Sequence, residues 1–180
     1  KNVELSLYTG VTEQLQNEVL NHRLDGAFIT KTGYHPDLET YDVFQEELVL
    51  ISNKEVSSVE KLIDEPILCF SKGCGYRARL ETWFRDQNVT PYKVMELGTL
   101  ETILSSVTIG LGTTFVPRSA VAHLEKKGLI YCYSLPDEYS KINTVFIRRS
   151  DAYRTSTIEK FIETIQESKD ASIESIPFLA

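Results

Sequence analysis

The run Ser71-Lys72-Gly73-Cys74-Gly75-Tyr76-Arg77 combines a hydroxyl, a thiol, two glycines and a guanidinium. Glycines let successive backbone N–H groups converge. A helix starting directly after them adds the partial positive charge of its N-terminus, so Ser71, Gly73, Cys74 and Gly75 suit a carboxylate or another small anion. Arg77 offers a planar fork for bidentate pairing with such a group. The plainer reading is a glycine loop in which Ser71 caps the helix and Arg77 is solvated. Three threonines stand at comparable places: Thr30 closes the apolar run Ala27–Thr30, Thr99 follows Val94–Leu97, and Thr114 lies with Thr113 after Gly110-Leu111-Gly112. Taken singly, Thr99 fits a helix N-cap and Thr30 a strand end satisfied by local backbone.

Other reactive types are sparse. Cys74 sits beside the expected helix N-terminus, where a thiolate is favoured, so a redox role for it is an alternative to ligand binding. Cys69, in the apolar Ile67–Phe70 run, reads as an ordinary buried residue. The three cysteines (Cys69, Cys74, Cys132) and three histidines (His22, His35, His123) lack metal-type spacing, so no metal site and no cofactor is expected. Glu46-Glu47 and Asp137-Glu138 are paired acids, but neighbours on a strand point apart and no base is placed beside them, which reads as solvated surface. No G-x-S-x-G nucleophile motif occurs. These residues therefore give hydrolysis no support.

Hydrophobic periodicity supplies the elements that position these groups. Val3–Tyr8 alternates as a half-buried strand does; a helix follows with Leu15, Val19 and Leu20 on one face, then the Asp25-Gly26 turn and the Ala27–Thr30 strand. That order predicts a parallel βαβ unit. Glu46–Ser52 is a further strand, Ser57 and Glu60 have capping-box spacing, and Ile67–Phe70 is a buried strand. After the glycine loop, Tyr76, Leu80, Trp83 and Phe84 share a helix face. Val94–Leu97 leads to a helix carrying Leu100, Ile103, Leu104 and Val107, ended by Gly110-Leu111-Gly112. Thr114–Val116 precedes a helix opened by Pro117, which completes a second βαβ unit. Leu129–Leu135 and Ile142–Arg148 are strands around the turn PDEYSK. A last helix has Ser156 and Glu159 at capping-box spacing and buries Ile158, Phe161, Ile162 and Ile165. Residues 169–180 lack periodicity and read as a mobile tail in which Phe178 can dock.

Composition sets the outer limits. With 42% hydrophobic and 25% charged residues, 180 residues can bury a core. A net charge of −7 and a pI near 5.1 do not suit phosphate contacts, so this stretch is not expected to bind nucleic acid. No apolar run reaches the roughly 20 residues of a membrane span, and no secretory leader opens the chain, so no membrane partner and a cytoplasmic location are expected.

Three motifs together resemble the LysR-type transcriptional regulators: VELSLYTGVTEQLQNEVLNHRLDGAFIT, FSKGCGYRARLETW, and ELGTLETILSSVTIGLGTTFVPRSAV with its V-x-x-G-x-G-x-x-x-x-P spacing from Val107 to Pro117. Their order and separation cover residues 3 to about 167. The resemblance implies an α/β effector-binding domain of two Rossmann-like lobes joined by two crossing strands, similar to type 2 periplasmic binding proteins. It implies lobe one from 1–50 and 136–168, lobe two from 51–135, and a tail at 169–180. It further implies a binder and not an enzyme, with a small, anionic effector held between lobes by Thr30, Ser71, Gly73, Cys74, Gly75, Arg77, Thr99 and Thr114. DNA would be contacted only through a winged helix-turn-helix outside this sequence, and the domain would form homodimers, with tetramers of the full-length protein. Two alternatives share the fold: an extracytoplasmic solute-binding protein, and an enzyme such as a dehydratase or deaminase. The first is decided by upstream coding sequence, the second by turnover of a metabolite.

Overall fold

A computed structural model describes residues 3–91 and 93–168. The expectation for the 169–180 tail, Phe178 included, lies outside the described residues. The chain divides into two compact units, one of residues 46–142 and one built from the segments before and after it. The lobe boundaries expected at 50 and 135 thus fall at 45 and 142. Leu135, Tyr139 and Ile142 pack into one core cluster with Leu80, Trp83 and Phe84, which draws that stretch into the central unit.

The outer unit contains α1 (Thr12–Leu20), β1 (Ala27–Thr30), the first part of β2 (Leu38–Ser52), the main part of β7 (Lys141–Arg149) and α6 (Ser156–Ser168). β1 pairs with β7 antiparallel, Ala27 opposite Ile147 and Thr30 opposite Thr144. Strand alternation sends successive residues to opposite faces. On one face Val145 and Ile147 meet Leu15 and Val19 of α1 with Ala27 and Ile29; on the other Phe146 meets Val43 and Ile162 and Ile165 of α6. Each such aliphatic side chain taken fully out of water contributes about 1.5–3 kcal/mol. Arg148, 1% exposed, is held by Glu39 Oε2 at 3.2 Å and by the Ala152 carbonyl at 2.6 Å.

The expected strand at Val3–Tyr8 does not form. Residues 3–11 take neither helix nor strand, and Val3, Leu5 and Leu7 are 63%, 75% and 86% exposed. Alternation makes a segment strand-capable, but a strand exists only as part of a ladder. β1 finds its partner in β7 instead, so the first predicted parallel βαβ unit is replaced by an antiparallel pair. The Ser156 cap is also corrected: Thr155 Oγ1 accepts from Ile158 N at 3.3 Å, one residue earlier.

In the 46–142 unit the second βαβ unit is realised. β3 (Ile67–Cys69) and β4 (Val94–Glu96) pair parallel around α2 (Gly75–Asp86), with Cys69 opposite Glu96. α3 (Leu100–Thr108) follows β4, and β5 (Thr114–Pro117) leads into α4 (Arg118–Lys126). β5 lies against β3 through Leu68 N to Thr113 O at 2.8 Å and Thr113 N to Pro66 O at 2.9 Å. It pairs antiparallel with β2, Leu48 opposite Pro117, and β6 (Tyr131–Ser134) pairs with β2 as well. Gly112 is required here, since a Cβ on it would stand 2.1 Å from the Pro66 carbonyl oxygen. Gly110, with φ +82°, ends α3 in the left-handed region.

Two local expectations fail in this unit. PDEYSK is a helical turn, α5 (Asp137–Ser140), because the Pro136 carbonyl accepts from both Tyr139 N and Ser140 N and the Tyr139 hydroxyl reaches Asp86. The Ser57 capping box is absent: a single 3-10 turn, Val59–Leu62, starts after Ser58, and Ser57 Oγ accepts from Lys61 Nζ instead.

Candidate functional site

Parallel strands of an open α/β sheet carry ligands beyond their carboxyl ends, where each loop feeds a helix N-terminus. The 46–142 unit has three such ends side by side. β3 and β4 are in register as far as Cys69 and Glu96, and Leu97 N extends the ladder to Cys69 O at 2.9 Å. The bridge of Ile67 with Thr113 runs parallel, so β5 ends at Pro117 level with Ser71. The N-termini of α2, α3 and α4 therefore open on one edge, each with backbone N–H groups that the helix itself cannot satisfy.

The α2 loop is shaped by Gly73, whose φ of +88° favours glycine, and by a turn from Cys74 N to Ser71 O at 3.3 Å. Cys74 is the N-cap residue and makes no side-chain cap bond. Ser71 does not cap α2 by its hydroxyl, which leaves that group for other duty. Thr99 does cap its helix, Oγ1 accepting from Thr102 N at 3.2 Å. Arg77 is neither solvated nor open to a ligand. Its side chain is 10% exposed and bonds Glu81 at 2.7 Å, Glu96 at 2.8 Å and the Phe70 carbonyl at 3.0 Å. The hydrogen bond that Arg77 donates to Glu81 raises the guanidinium's pKa, against the effect of burial. Arg77 thus ties the end of β3 to β4 and α2, and it positions the loop.

Within the same unit, Thr114 does not reach this edge. Thr114 is 2% exposed at the start of β5, opposite Ile51. It is level with Leu68, about 10 Å of strand short of the carboxyl edge. Its neighbour Thr113 is buried too and gives its hydroxyl proton to Ile51 O at 2.7 Å. Thr30 belongs to the outer unit, where its N–H donates to Thr12 Oγ1 at 3.3 Å. Ser71, Gly73, Cys74, Gly75 and Thr99 are accordingly the predicted residues that one edge brings together.

Three residues at this edge escaped sequence reasoning. Two places beyond the Leu48–Pro117 pair, the antiparallel register sets Glu46 opposite Ser119 near the start of α4. Ser119 Oγ donates to Glu46 Oε1 at 3.0 Å, and burial raises the carboxyl's pKa while that bond lowers it. The solvated-surface reading of Glu46 is therefore corrected; Glu47, exposed and paired with Arg118 at 3.0 Å, keeps it. Tyr76, read as a core-facing residue, does pack on the core and against Phe70 with centroids 6.3 Å apart. Its hydroxyl is driven up in pKa by burial and then by the Glu46 and Cys74 charges. Burial likewise raises Cys69, and it pushes Cys132 up to about 12. All three cysteines are free thiols. A combination of open N–H groups, hydroxyls and one carboxyl can bind a small polar molecule. Among the described residues no group of three or more His, Cys, Asp or Glu is placed to hold a metal ion.

Known proteins fit this architecture. The model of the LysR substrate binding domain matches residues 1–170. The chain is 50% identical over 170 residues to the HTH-type transcriptional regulator SoxR of Arthrobacter sp. (strain TE1826), covering 94% of this chain and 59% of that protein. It is 49% identical over 172 residues to the HTH-type transcriptional regulator CzcR of Bacillus subtilis (strain 168), covering 96% and 60%. The chain thus spans about three fifths of the length of these relatives. Among solved structures, the regulatory domain of Synechocystis PCC6803 CcmR in complex with 2-PG superposes with a TM-score of 0.80 at 18% identity, covering 94% of this chain and 85% of that one. The effector binding domain of QuiR in complex with shikimate gives 0.76 at 17% identity, covering 91% and 80%. The fold is the type 2 periplasmic-binding-protein-like α/β fold of these effector domains, with β2 and β7 running from one unit into the other. The chain belongs to the LysR substrate binding domain family.

Proposed function

We propose that this chain senses a small, acidic effector for a LysR-type transcription regulator and binds it at the carboxyl edge of the 46–142 unit. The observation that carries the reading is the alignment of β3, β4 and β5, which opens three helix N-termini on one edge beside Ser71, Cys74 and Thr99. Converging N–H dipoles favour an anion, and hydroxyls add orientation. QuiR's domain with shikimate and CcmR's with 2-PG support the class of ligand, since both domains share the fold.

The effector acts by binding one arrangement of the domain better than another, and so shifts their populations. In this reading DNA is contacted by a part of the regulator outside this chain, and the −7 charge keeps the sensing part off the phosphates. The regulator works as a homodimer or tetramer in the cytoplasm. It does no chemistry on its effector, in keeping with relatives named as transcriptional regulators. Thr30 and Thr114 enter this proposal only through the family resemblance, and Arg77 through its grip on the loop.

A thermal-shift screen of metabolite acids on the full chain tests it. A ligand at a hundred times its Kd adds about 2.7 kcal/mol of stability, or roughly 5–10 °C in Tm for a chain of this size. Ser71→Ala with Thr99→Ser should weaken the best binder several-fold; unchanged affinity would move the site elsewhere.

A further inference from the structure

Glu46 is half-buried and differs from the ion-paired acids of its unit. Glu47, the next residue, is met by Arg118 and by Ser134 Oγ at 3.0 Å. Glu81 and Glu96 are met by Arg77, Asp137 by Lys141 and Glu65 by Lys54. Glu46 receives one hydroxyl, from Ser119, and no cation lies within ion-pair distance of it among the described residues. Removing a carboxylate from water is costly unless donors replace the lost hydration, and one hydroxyl fills a fraction of its four acceptor sites. Tyr76, half-buried in the first turn of α2, has no hydrogen-bond partner for its hydroxyl among the described residues.

We infer that Glu46, with Tyr76 of the first turn of α2, is the specificity-determining group of the effector edge, selecting small acids that also carry a hydrogen-bond donor, a hydroxyl or an ammonium, over the same acids without one. This rests on the proposed effector site and adds a second pole to it. Helix N-termini take the acid group, and the Glu46 carboxylate accepts from the donor. It also disfavours a second negative charge placed at its end of the site. A charge-assisted bond of this kind contributes about 1.5–3 kcal/mol, which corresponds to roughly ten-fold or more in Kd.

Matched acids on the full chain test the inference by thermal shift: propionate, lactate and alanine; succinate, malate and aspartate; glutarate, 2-hydroxyglutarate and glutamate. In whichever set stabilises the chain, the hydroxy or amino member should bind at least ten-fold tighter than its parent acid. Comparison of those two members identifies the donor. In Glu46→Gln, which keeps shape and the Ser119 contact, the preference should fall below about three-fold, and Tyr76→Phe should reduce it partially. Circular dichroism of both variants should overlay on the wild type, which separates lost selectivity from lost folding. Equal binding of parent and donor-bearing acids, or an intact preference in Glu46→Gln, would overturn the role of Glu46 while leaving an acid-binding edge in place. If no acid of the three sets raises Tm, the acid-binding edge itself is overturned, and this inference with it.

Discussion

Gly112→Ala should destabilise the 46–142 unit by about 3–5 kcal/mol, and the size follows from one close approach. The added methyl carbon would meet Pro66 O at 2.1 Å and Pro66 C at 2.9 Å, so backbone must move by about an ångström to restore van der Waals separation. That backbone carries the Thr113 N to Pro66 O bond of 2.9 Å and the neighbouring Leu68 N to Thr113 O bond of 2.8 Å. Two net hydrogen bonds contribute about 2 kcal/mol, and overpacking a buried site costs a further 1–3 kcal/mol. Because these bonds hold β5 against β3, the change would also displace the N-terminus of α4 from the other two. Gly98→Ala is the matched control: nothing lies within 4 Å of its added carbon and its φ is not positive, so its effect should stay within about 0.5 kcal/mol. Urea unfolding followed by far-UV circular dichroism measures both. A loss below 1 kcal/mol for Gly112→Ala, or equal losses for the two glycines, would refute the claim that this approach locks β5 in place.

Further outcomes follow from charge and thiol environments. Burial opposes ionisation of Glu39, but the hydrogen bond from Arg154, the Tyr41 hydroxyl and the Arg148 charge outweigh it, so its folded pKa is depressed. A depressed carboxyl contributes stability above its unfolded pKa of about 4.3 and loses that contribution as pH falls through the folded value. Glu39→Gln, which strips a carboxylate from the buried Arg148, should therefore cost about 2 kcal/mol at pH 7 and progressively less below pH 4 in urea titrations; a pH-independent difference would contradict this. Among the cysteines, half-buried Cys74 should react first with a disulfide reagent at pH 8 in the native state. Buried Cys69, and Cys132 with its thiol raised to about 12, should react fully only on unfolding, and mass spectrometry of the labelled peptides reads the order.

Local order was legible in the sequence where one element supplies its own evidence. The faces of α2 and α3 were readable from spacing, and Leu80, Trp83, Phe84, Ile103 and Val107 are buried as that spacing requires. Thr99 as a cap and Gly110 as a helix end are likewise local chemistry. What failed depended on partners distant in the chain. Alternation at Val3–Tyr8 looked the same as in a paired strand, yet β1 took β7, more than a hundred residues on, as its neighbour. Glu46 and Ser119 meet only through the β2–β5 register, 73 residues apart, so an adjacent acid pair read as surface. Arg77 looked like an anion's partner because Glu96, nineteen residues away, could not be placed beside it. Thr114 does open the expected strand, but its pairing with Ile51 of β2, 63 residues earlier, buries it short of the carboxyl edge.

Amide chemical-shift mapping decides whether the carboxyl edge of β3, β4 and β5 receives the effector. A ¹⁵N-labelled chain would be titrated with the acid that most raises its Tm. The largest shifts should fall on the backbone N–H groups of Gly73–Arg77, Leu100–Thr102 and Arg118–Ser119, with little change at Thr114 or in the open pocket that Glu81, Phe84, Arg85, Asn88, Val89 and Pro91 line at the end of α2 (Glu81–Pro91). Shifts concentrated on Glu81–Pro91, or confined to residues outside 46–142, would contradict it.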